Sequence, residues 1–331
     1  MSEEQFYSVS SSPHVHSGAS IHGIMRDVVI AMIPAFIAAV IFFGLDAVRL
    51  TAGCVASCVI FEYLSRRIMK RNQIISDLSA VITGMLLAYN LPPSFPTWMA
   101  IVGSFVAIVI AKQLFGGLGY NPFNPALAGR LFLFLSFAFA MSGDWTPWSY
   151  INADNIAAVT TATPLGRLQE ATGSIAYLSS NANVWNMFLG KVNGCIGEVS
   201  SLALILGGIY LLWRKVITWH IPVAYIGTVA LFATILYVID PSANASPLFH
   251  LFSGGLMLGA IFMATDMVTS PTDRSGMLVF GIGCGLLTMI IRKWGSYPEG
   301  VSFSIFIMNA TTPLINRVCK PKVFGLKKGK A

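Results

Sequence analysis

The richest concentration of chemically capable side chains is the stretch Ile151 to Ser174, INADNIAAVTTATPLGRLQEATGS, which is small, polar and punctuated by hydroxyls. Thr163 followed by Pro164 has the form of a helix start. Threonine caps well, and proline at the first helical position loses no hydrogen bond, because that N–H would be unpaired. The helix is expected over Leu165 to Ala171, with Gly173 as its stop. The Thr163 hydroxyl then stands where unpaired N–H groups and the helix dipole favour a phosphate. Its neighbours Thr160, Thr161 and Ala162 are small and leave the hydroxyl open to an enzyme. An ordinary capped loop helix has the same pattern, so these residues alone leave both readings open.

Charged side chains inside apolar surroundings are the second source of chemistry. Glu62, Asp77, Asp266 and Glu299 lie within or near long apolar runs. A carboxylate at the centre of a bilayer costs roughly 2.5–3.5 kcal/mol, so a central one faces protein or water. All four fall toward the ends of their runs, where interfacial solvation and a place in an ion path both fit. Asp77, Asp266 and Glu299 are the ion-path candidates. Arg130, inside a run, needs a partner such as an anionic phosphate or an acidic side chain.

Other motifs point nowhere specific. Asn124-Pro125-Ala126 spells the NPA of water channels, but no second copy occurs, and it reads better as an asparagine cap with proline at the first helical position. His14, His16 and His22 sit in a serine-rich tail without cysteine or carboxylate at ligand spacing, which favours solvated residues and no metal site. Cys54, Cys58, Cys195, Cys284 and Cys319 form no CxxC pair and no even disulfide set; Cys54 and Cys58 would share a helix face as packing residues. There is no GxGxxG, no Walker loop and no iron–sulfur cysteine set.

The elements that must position these residues are membrane helices. Of 331 residues, 55% are hydrophobic and 11% charged, against roughly 25% charged in soluble domains. Mean hydropathy is +0.70. A soluble globular or disordered chain is excluded, because the apolar residues come in long runs joined by short polar segments. Ten runs stand out: Val28 to Leu45, Ala47 to Leu64, Ile74 to Leu91, Trp98 to Leu114, Pro125 to Met141, Ser200 to Trp213, Val216 to Ile239, Leu248 to Val268, Met277 to Ile291 and Gly300 to Ile315. The fold expected is an all-α polytopic membrane protein of about ten transmembrane helices. Its parts are a polar cytoplasmic tail (1–27), a first five-helix half (28–141), an extracytoplasmic loop (142–199), a second half (200–316) and a basic cytoplasmic tail (317–331). The opening MSEEQFYSVSSSPHVHSGAS has two acids and no apolar core, which is not a signal-peptide pattern.

The formal charge of +7 is better explained by orientation than by nucleic acid, since no basic stripe is interleaved with aromatics. Placing Arg66, Arg67, Lys70 and Arg71 in the cytoplasm also puts Arg26, Lys112, Arg214, Lys215, Arg274, Arg317, Lys320, Lys322, Lys327, Lys328 and Lys330 there. Arg49, Arg167, Lys191, Arg292 and Lys293 fall outside. Both termini are thus expected inside and the Ser142 to Val199 loop outside. A weak repeat is visible as well: LLAYNLPP and MATDMVTSPT each precede, by about thirty residues, a Gly-x-x-Pro entry (GYNPFN, GSYPEG) to the last helix of a half. Five helices per half require the second copy to be inverted. Glycine and proline also punctuate helix ends generally, and that alternative stays open.

TTATPLG (Thr160 to Gly166) resembles the [Ser/Thr]-x-Ala-Thr flavinylation motif of the NqrB/RnfD family of membrane subunits. SSPHVHS (Ser11 to Ser17), FGGLGYNPFNPALAG (Phe115 to Gly129), GCIGEVS (Gly194 to Ser200), ATDMVTSPT (Ala264 to Thr272) and IRKWGSYPEGVSF (Ile291 to Phe303) are similar to the family's pattern in the same order. PHVH and ATPL lean toward the RnfD branch. Two positions depart: Thr161 stands where glycine is common, and Ala157 where an aspartate is frequent.

The resemblance implies an FMN joined to Thr163 through a phosphoester on the extracytoplasmic side, with Thr160, Ala162, Pro164 and Arg130 as neighbours. A noncovalent riboflavin is a further implied cofactor. It also implies an inner-membrane, ion-translocating ferredoxin:NAD oxidoreductase complex moving Na+ or H+. Iron–sulfur subunits, other membrane subunits, a second flavinylated subunit and a flavin transferase would be the partners. The rivals are an NqrB-type subunit of an NADH:quinone reductase, a solute channel or transporter without redox function, and a scaffold subunit.

Overall fold

The computed structural model describes residues 20–73, 75–142, 163–169, 180–198, 200–295, 297 and 299–320. Thr160, Ala162, His14, His16 and most of the 142–199 connection lie outside them. Among the described residues the chain is helical and has no strand. That fits a bilayer, where every backbone polar group must be satisfied within the segment or by buried partners.

Among the described residues four helices are long and apolar enough to cross a membrane: α1 (Ile21–Phe43), α2 (Leu45–Ile68), α10 (His220–Ile239) and α13 (Arg274–Trp294). Ser20 caps α1, its Oγ accepting from Gly23 N at 3.1 Å. Asp273 caps α13 through Ser275 N at 3.0 Å. Helix α14 (Val301–Val318) is 18 residues long, with Pro313 inside it.

The remaining apolar runs are shorter or interrupted. The run expected over Ile74 to Leu91 is a tight turn at Ile75–Asp77, then Leu78 at φ 62°, then α3 (Ser79–Tyr89) of 11 residues. At 1.5 Å per residue that is about 16 Å, half of a bilayer core. Helix α4 (Thr97–Phe105) continues as a π-helical stretch over Val106–Gln113. Helix α5 (Pro125–Ser136) breaks at Phe137 before the short α6 (Ala138–Ser142). Asn124 accepts from Ala126 N at 3.0 Å with Pro125 in the first helical position, so the Asn-Pro pair is a helix cap as the sequence suggests.

Two short helices follow, α7 (Pro164–Gln169) and α8 (Asn181–Leu189), and then α9 (Ser201–Trp213). The run expected over Leu248 to Val268 is not one helix. It is α11 (Pro247–Phe252), a break at Ser253-Gly254-Gly255 with Gly254 at φ +68°, and α12 (Leu256–Leu258) continuing as a π-helical turn through Met263. Hydropathy does not see this break, because it counts composition and the Ser-Gly-Gly triplet is too short to lower the average. Irregular backbone at such depth is tolerated only where it is buried in protein or lines a cavity.

The two parts of the chain are clamped together. Helix α1 packs along α9 across the 142–199 connection, and within the second part α10 packs along α13. Asp27 of α1 accepts from Tyr210 OH at 3.2 Å and from Arg214 Nε at 3.1 Å. Tyr89 OH donates to the Met32 carbonyl at 3.0 Å, fixing the end of α3 against α1.

Candidate functional site

Thr163 is placed by a cap and an anchor. Its Oγ1 accepts from Gly166 N at 3.1 Å, so Thr163-Pro164 starts a helix as the sequence predicts. The observed helix runs Pro164–Gln169; the rest of the expected Leu165 to Ala171 span and Gly173 lie outside the described residues. Leu165 is buried among Val184 and Met187 of α8 and Ala245 and Phe249 ahead of and within α11. Burying one leucine contributes about 1.5–3 kcal/mol, enough to hold one turn of helix against its frame.

Across from Thr163, Arg130 of α5 is paired on both sides. One guanidinium nitrogen donates to Asn90 Oδ1, where α3 ends, and the other forms an ion pair with Glu299 Oε2 just ahead of α14. Arg292 of α13 serves a different purpose. It donates to the carbonyls of His250 at 2.7 Å, Ser253 at 3.0 Å and Glu299 at 3.1 Å. All of its bonds go to backbone, and they satisfy the carbonyls freed where α11 breaks and where the chain enters α14.

Glu198 arrives by an equally local route. The turn 195–198 runs under the end of α3: Ile196 N donates to Leu91 O at 3.1 Å and Gly197 N to Tyr89 O at 2.8 Å. A Cβ on Gly197 would overlap Tyr89, so this close approach requires glycine. The Glu198 side chain then folds back, Oε1 accepting from Cys195 N at 2.8 Å. Glu198, in the connection between α8 and α9, has its carboxyl pushed up to about 7. Burial is the main cause and the Glu299 carboxylate adds to it, partly offset by the Cys195 N–H and the Arg130 and Arg292 guanidinia.

These groups converge on one cavity of about 380 Å³, whose lining includes Thr163, Arg130, Glu198, Glu299, Ser253 and Ser302. That volume falls within the roughly 300–1,000 Å³ of small-molecule sites. The space beside Gly255 is bordered by Glu299 Oε1 at 2.8 Å, Glu198 Oε2 at 3.6 Å and Arg130 Nη1 at 3.9 Å from where a Cβ would stand. One wall is aromatic: Tyr297 and Phe303 stack with centroids 5.4 Å apart, and Phe134 meets Tyr297 edge-on at 5.0 Å. Ser253 Oγ, Ser302 Oγ and Glu299 Oε1 are buried atoms of this lining with no hydrogen-bond partner among the described residues. Unsatisfied buried polar atoms cost about 1–3 kcal/mol each, so three around one cavity mark a place built for polar contact with something else.

Of the sequence-predicted residues, the cavity brings together Thr163, Pro164, Arg130 and Glu299. Asp77 and Asp266 are elsewhere. Asp77 accepts from Ser79 N at 2.9 Å and Ser79 Oγ at 2.7 Å, capping α3. Asp266 accepts from Thr269 Oγ1 at 3.2 Å and borders a second, smaller cavity of about 130 Å³ with Ser79, Lys112 and Asn124. The three ion-path candidates are therefore divided between two places. Interfacial solvation is not the state of Glu62, which is fully buried and accepts from Lys112 Nζ at 2.9 Å and Gln113 Nε2 at 2.8 Å. Arg66, Lys112 and Arg292, which the charge count treats as loop residues, are buried too. They come from both sides of that count, so the bias stands without them.

Sequence reasoning assigns no role to Glu198, Ser253, Ser302 or the Phe134–Tyr297–Phe303 wall. The usable signal for Glu198 was its spacing in Gly-Cys-Ile-Gly-Glu, where two glycines permit the turn beneath α3.

Known proteins match this sequence over nearly the whole chain. Residues 8–325 match the model of the NQR2, RnfD, RnfE family. The chain is 46% identical over 320 residues to the D subunit of the Na(+)-translocating ferredoxin:NAD(+) oxidoreductase complex of Acetobacterium woodii, covering 97% of this chain and 96% of that one. It is 43% identical to the D subunit of the proton-translocating ferredoxin:NAD(+) oxidoreductase complex of Clostridium ljungdahlii, over 98% of both chains. It is 40% identical to the D subunit of the ion-translocating oxidoreductase complex of Stutzerimonas stutzeri, over 93% of both. On the extent of these matches, the chain belongs to the NQR2, RnfD, RnfE family.

Proposed function

We propose that this chain is the RnfD-type membrane subunit of an ion-translocating ferredoxin:NAD+ oxidoreductase complex and that it carries FMN covalently on Thr163. The observation that carries the reading is the cavity itself, where the one threonine of the flavinylation-like motif that lies among the described residues opens onto an aromatic wall and unpartnered polar atoms. Those features suit an isoalloxazine ring, which presents two flat faces and a polar edge. Phe134, Tyr297 and Phe303 would pack the ring, while Ser253, Ser302 and Glu299 would face its heteroatoms. Bound there, FMN would supply one- or two-electron transfer.

The chain's own residues set the surroundings. Glu299 and Asn90 fix the Arg130 guanidinium, so a positive charge stays at one position in the cavity and does not follow a ligand. Leu165 holds the turn bearing Thr163 to the α8–α11 frame, which keeps the attachment point from drifting. Thr160 and Ala162 would leave the Thr163 hydroxyl open to a flavin transferase.

Around this site the reading includes ten membrane helices in two inverted five-helix halves, both termini in the cytoplasm, and the 142–199 connection outside an inner membrane. Iron–sulfur subunits, further membrane subunits and a second flavinylated subunit would deliver and remove electrons. A riboflavin would complete the cofactor set, and Na+ or H+ would be the ion moved. The test is flavin fluorescence of the chain on a denaturing gel after expression with a flavin transferase. A fluorescent band that disappears in Thr163→Val is the expected result. A dark wild-type band, with the transferase active on another substrate, overturns the reading.

A further inference from the structure

Glu198 is the carboxylate of the Thr163 cavity that has no cation of its own. Among the described residues it forms no ion pair, whereas Glu299 is tied to Arg130. The titratable and charged groups that act on it come from several elements: Arg130 from α5, Arg292 from α13, Glu299 ahead of α14, and the Cys195 N–H in its own turn. Arg130 is engaged by Glu299 and Asn90, and Arg292 by three carbonyls. Arg130 is the one cation among the described lining residues and is already paired, and Arg292 packs behind the lining on backbone carbonyls, so the cavity has no spare positive charge to meet an incoming negative one.

We propose that Glu198 is the redox-linked proton site of this cavity, binding one proton from the aqueous phase when the first electron enters the neighbouring flavin. The inference rests on the flavin reading above. The balance is simple: one electron arrives from a reduced carrier on a partner chain, one O–H bond forms on Glu198, and the net charge of the cavity is unchanged. On reoxidation the electron leaves and the proton is released. Geometry favours Glu198 over Glu299, because protonating Glu299 would strand the Arg130 guanidinium, whereas Glu198 gives up only part of one backbone hydrogen bond. A carboxyl already held near 7 by burial needs little further push to change state at neutral pH.

The test is redox difference infrared spectroscopy of the purified, flavinylated chain, using a chemical reductant with mediators. Reduction is expected to produce a protonated-carboxyl C=O band that shifts in D2O, is absent in E198Q and moves in frequency in E198D. The midpoint potential of the flavin's first one-electron step should lose one proton of pH dependence above pH 7 in E198Q, a tenfold change in equilibrium constant per pH unit, or 59 mV. Should E198Q fail to fold, E198D still decides, since a band at unchanged frequency there belongs to another carboxyl and overturns the proposal. A fluorescent gel with no carboxyl band in the wild type overturns this inference alone. A dark gel removes the flavin reading and this inference with it.

Discussion

The Thr163 cavity and the smaller one beside Asp266 hold similar residues and treat them in different ways. Beside the smaller one, the lysine is consumed internally: Lys112 Nζ donates to both Glu62 oxygens, at 2.9 and 3.1 Å, and to Ser79 Oγ at 2.6 Å, while Gln113 Nε2 also donates to Glu62. Around the larger one, Arg130 and Glu299 pair, but Ser253, Ser302 and one Glu299 oxygen are left unpartnered and Glu198 has no cation. A buried charge that is fully matched supports the fold; polar atoms left facing a cavity without partners support a ligand. The difference teaches that burial of a charge does not by itself mark a functional site, and that the state of its hydrogen bonds does.

The largest expected effect lies in the smaller cavity. Lys112→Met leaves Glu62 with the Gln113 amide and, as a cation, Arg66 at 3.6 Å, and should cost about 3–5 kcal/mol, read as a lowered unfolding midpoint of the purified chain in detergent. Replacing both partners, Glu62→Gln with Lys112→Met, should recover most of that loss, because removing a buried pair whole is often neutral. A single variant as stable as the wild type would erase the contrast between the cavities.

A smaller loss is expected at Ser79, which accepts from Lys112 and donates to Asp77. Ser79→Ala removes a hydrogen bond to a charged group, typically about 1.5–3 kcal/mol, and should lower the same midpoint by less than Lys112→Met does. If the two losses are equal, Ser79 and not Glu62 is the main support of the lysine.

How much of this could be read beforehand follows the range of each interaction. The Asn124-Pro125 and Thr163-Pro164 caps were legible because a cap spans three residues. The all-helical membrane character was legible from composition, and Arg130 was legible as a charge in need of a partner. Which partner was not, since Glu299 lies 169 positions away and only the tertiary fold brings it near. Lys112 read as a loop charge because its partner Glu62 is 50 positions back on another helix. The break at Gly254 was hidden in an apolar run, and Glu198 gained its place only through the carbonyls at the end of α3.

The smallest expected effect sharpens the comparison most. Ser253→Ala and Ser302→Ala remove buried hydroxyls that have no partner among the described residues, so in the chain without flavin neither should lower the unfolding midpoint. Loading with flavin should change that. A ligand that binds only the folded state raises its apparent stability, and for a tethered ring the gain depends on the contacts the cavity makes. Wild-type chain made with the transferase should therefore unfold later than chain made without it, and the double serine variant should keep its gel fluorescence while losing part of that gain. The decisive quantity is the difference of differences, because packing errors from the substitutions act equally on loaded and unloaded chains. Equal gains in wild type and variant would mean that the ring sits away from Ser253 and Ser302, and that the larger cavity's open polar atoms await something other than the group on Thr163.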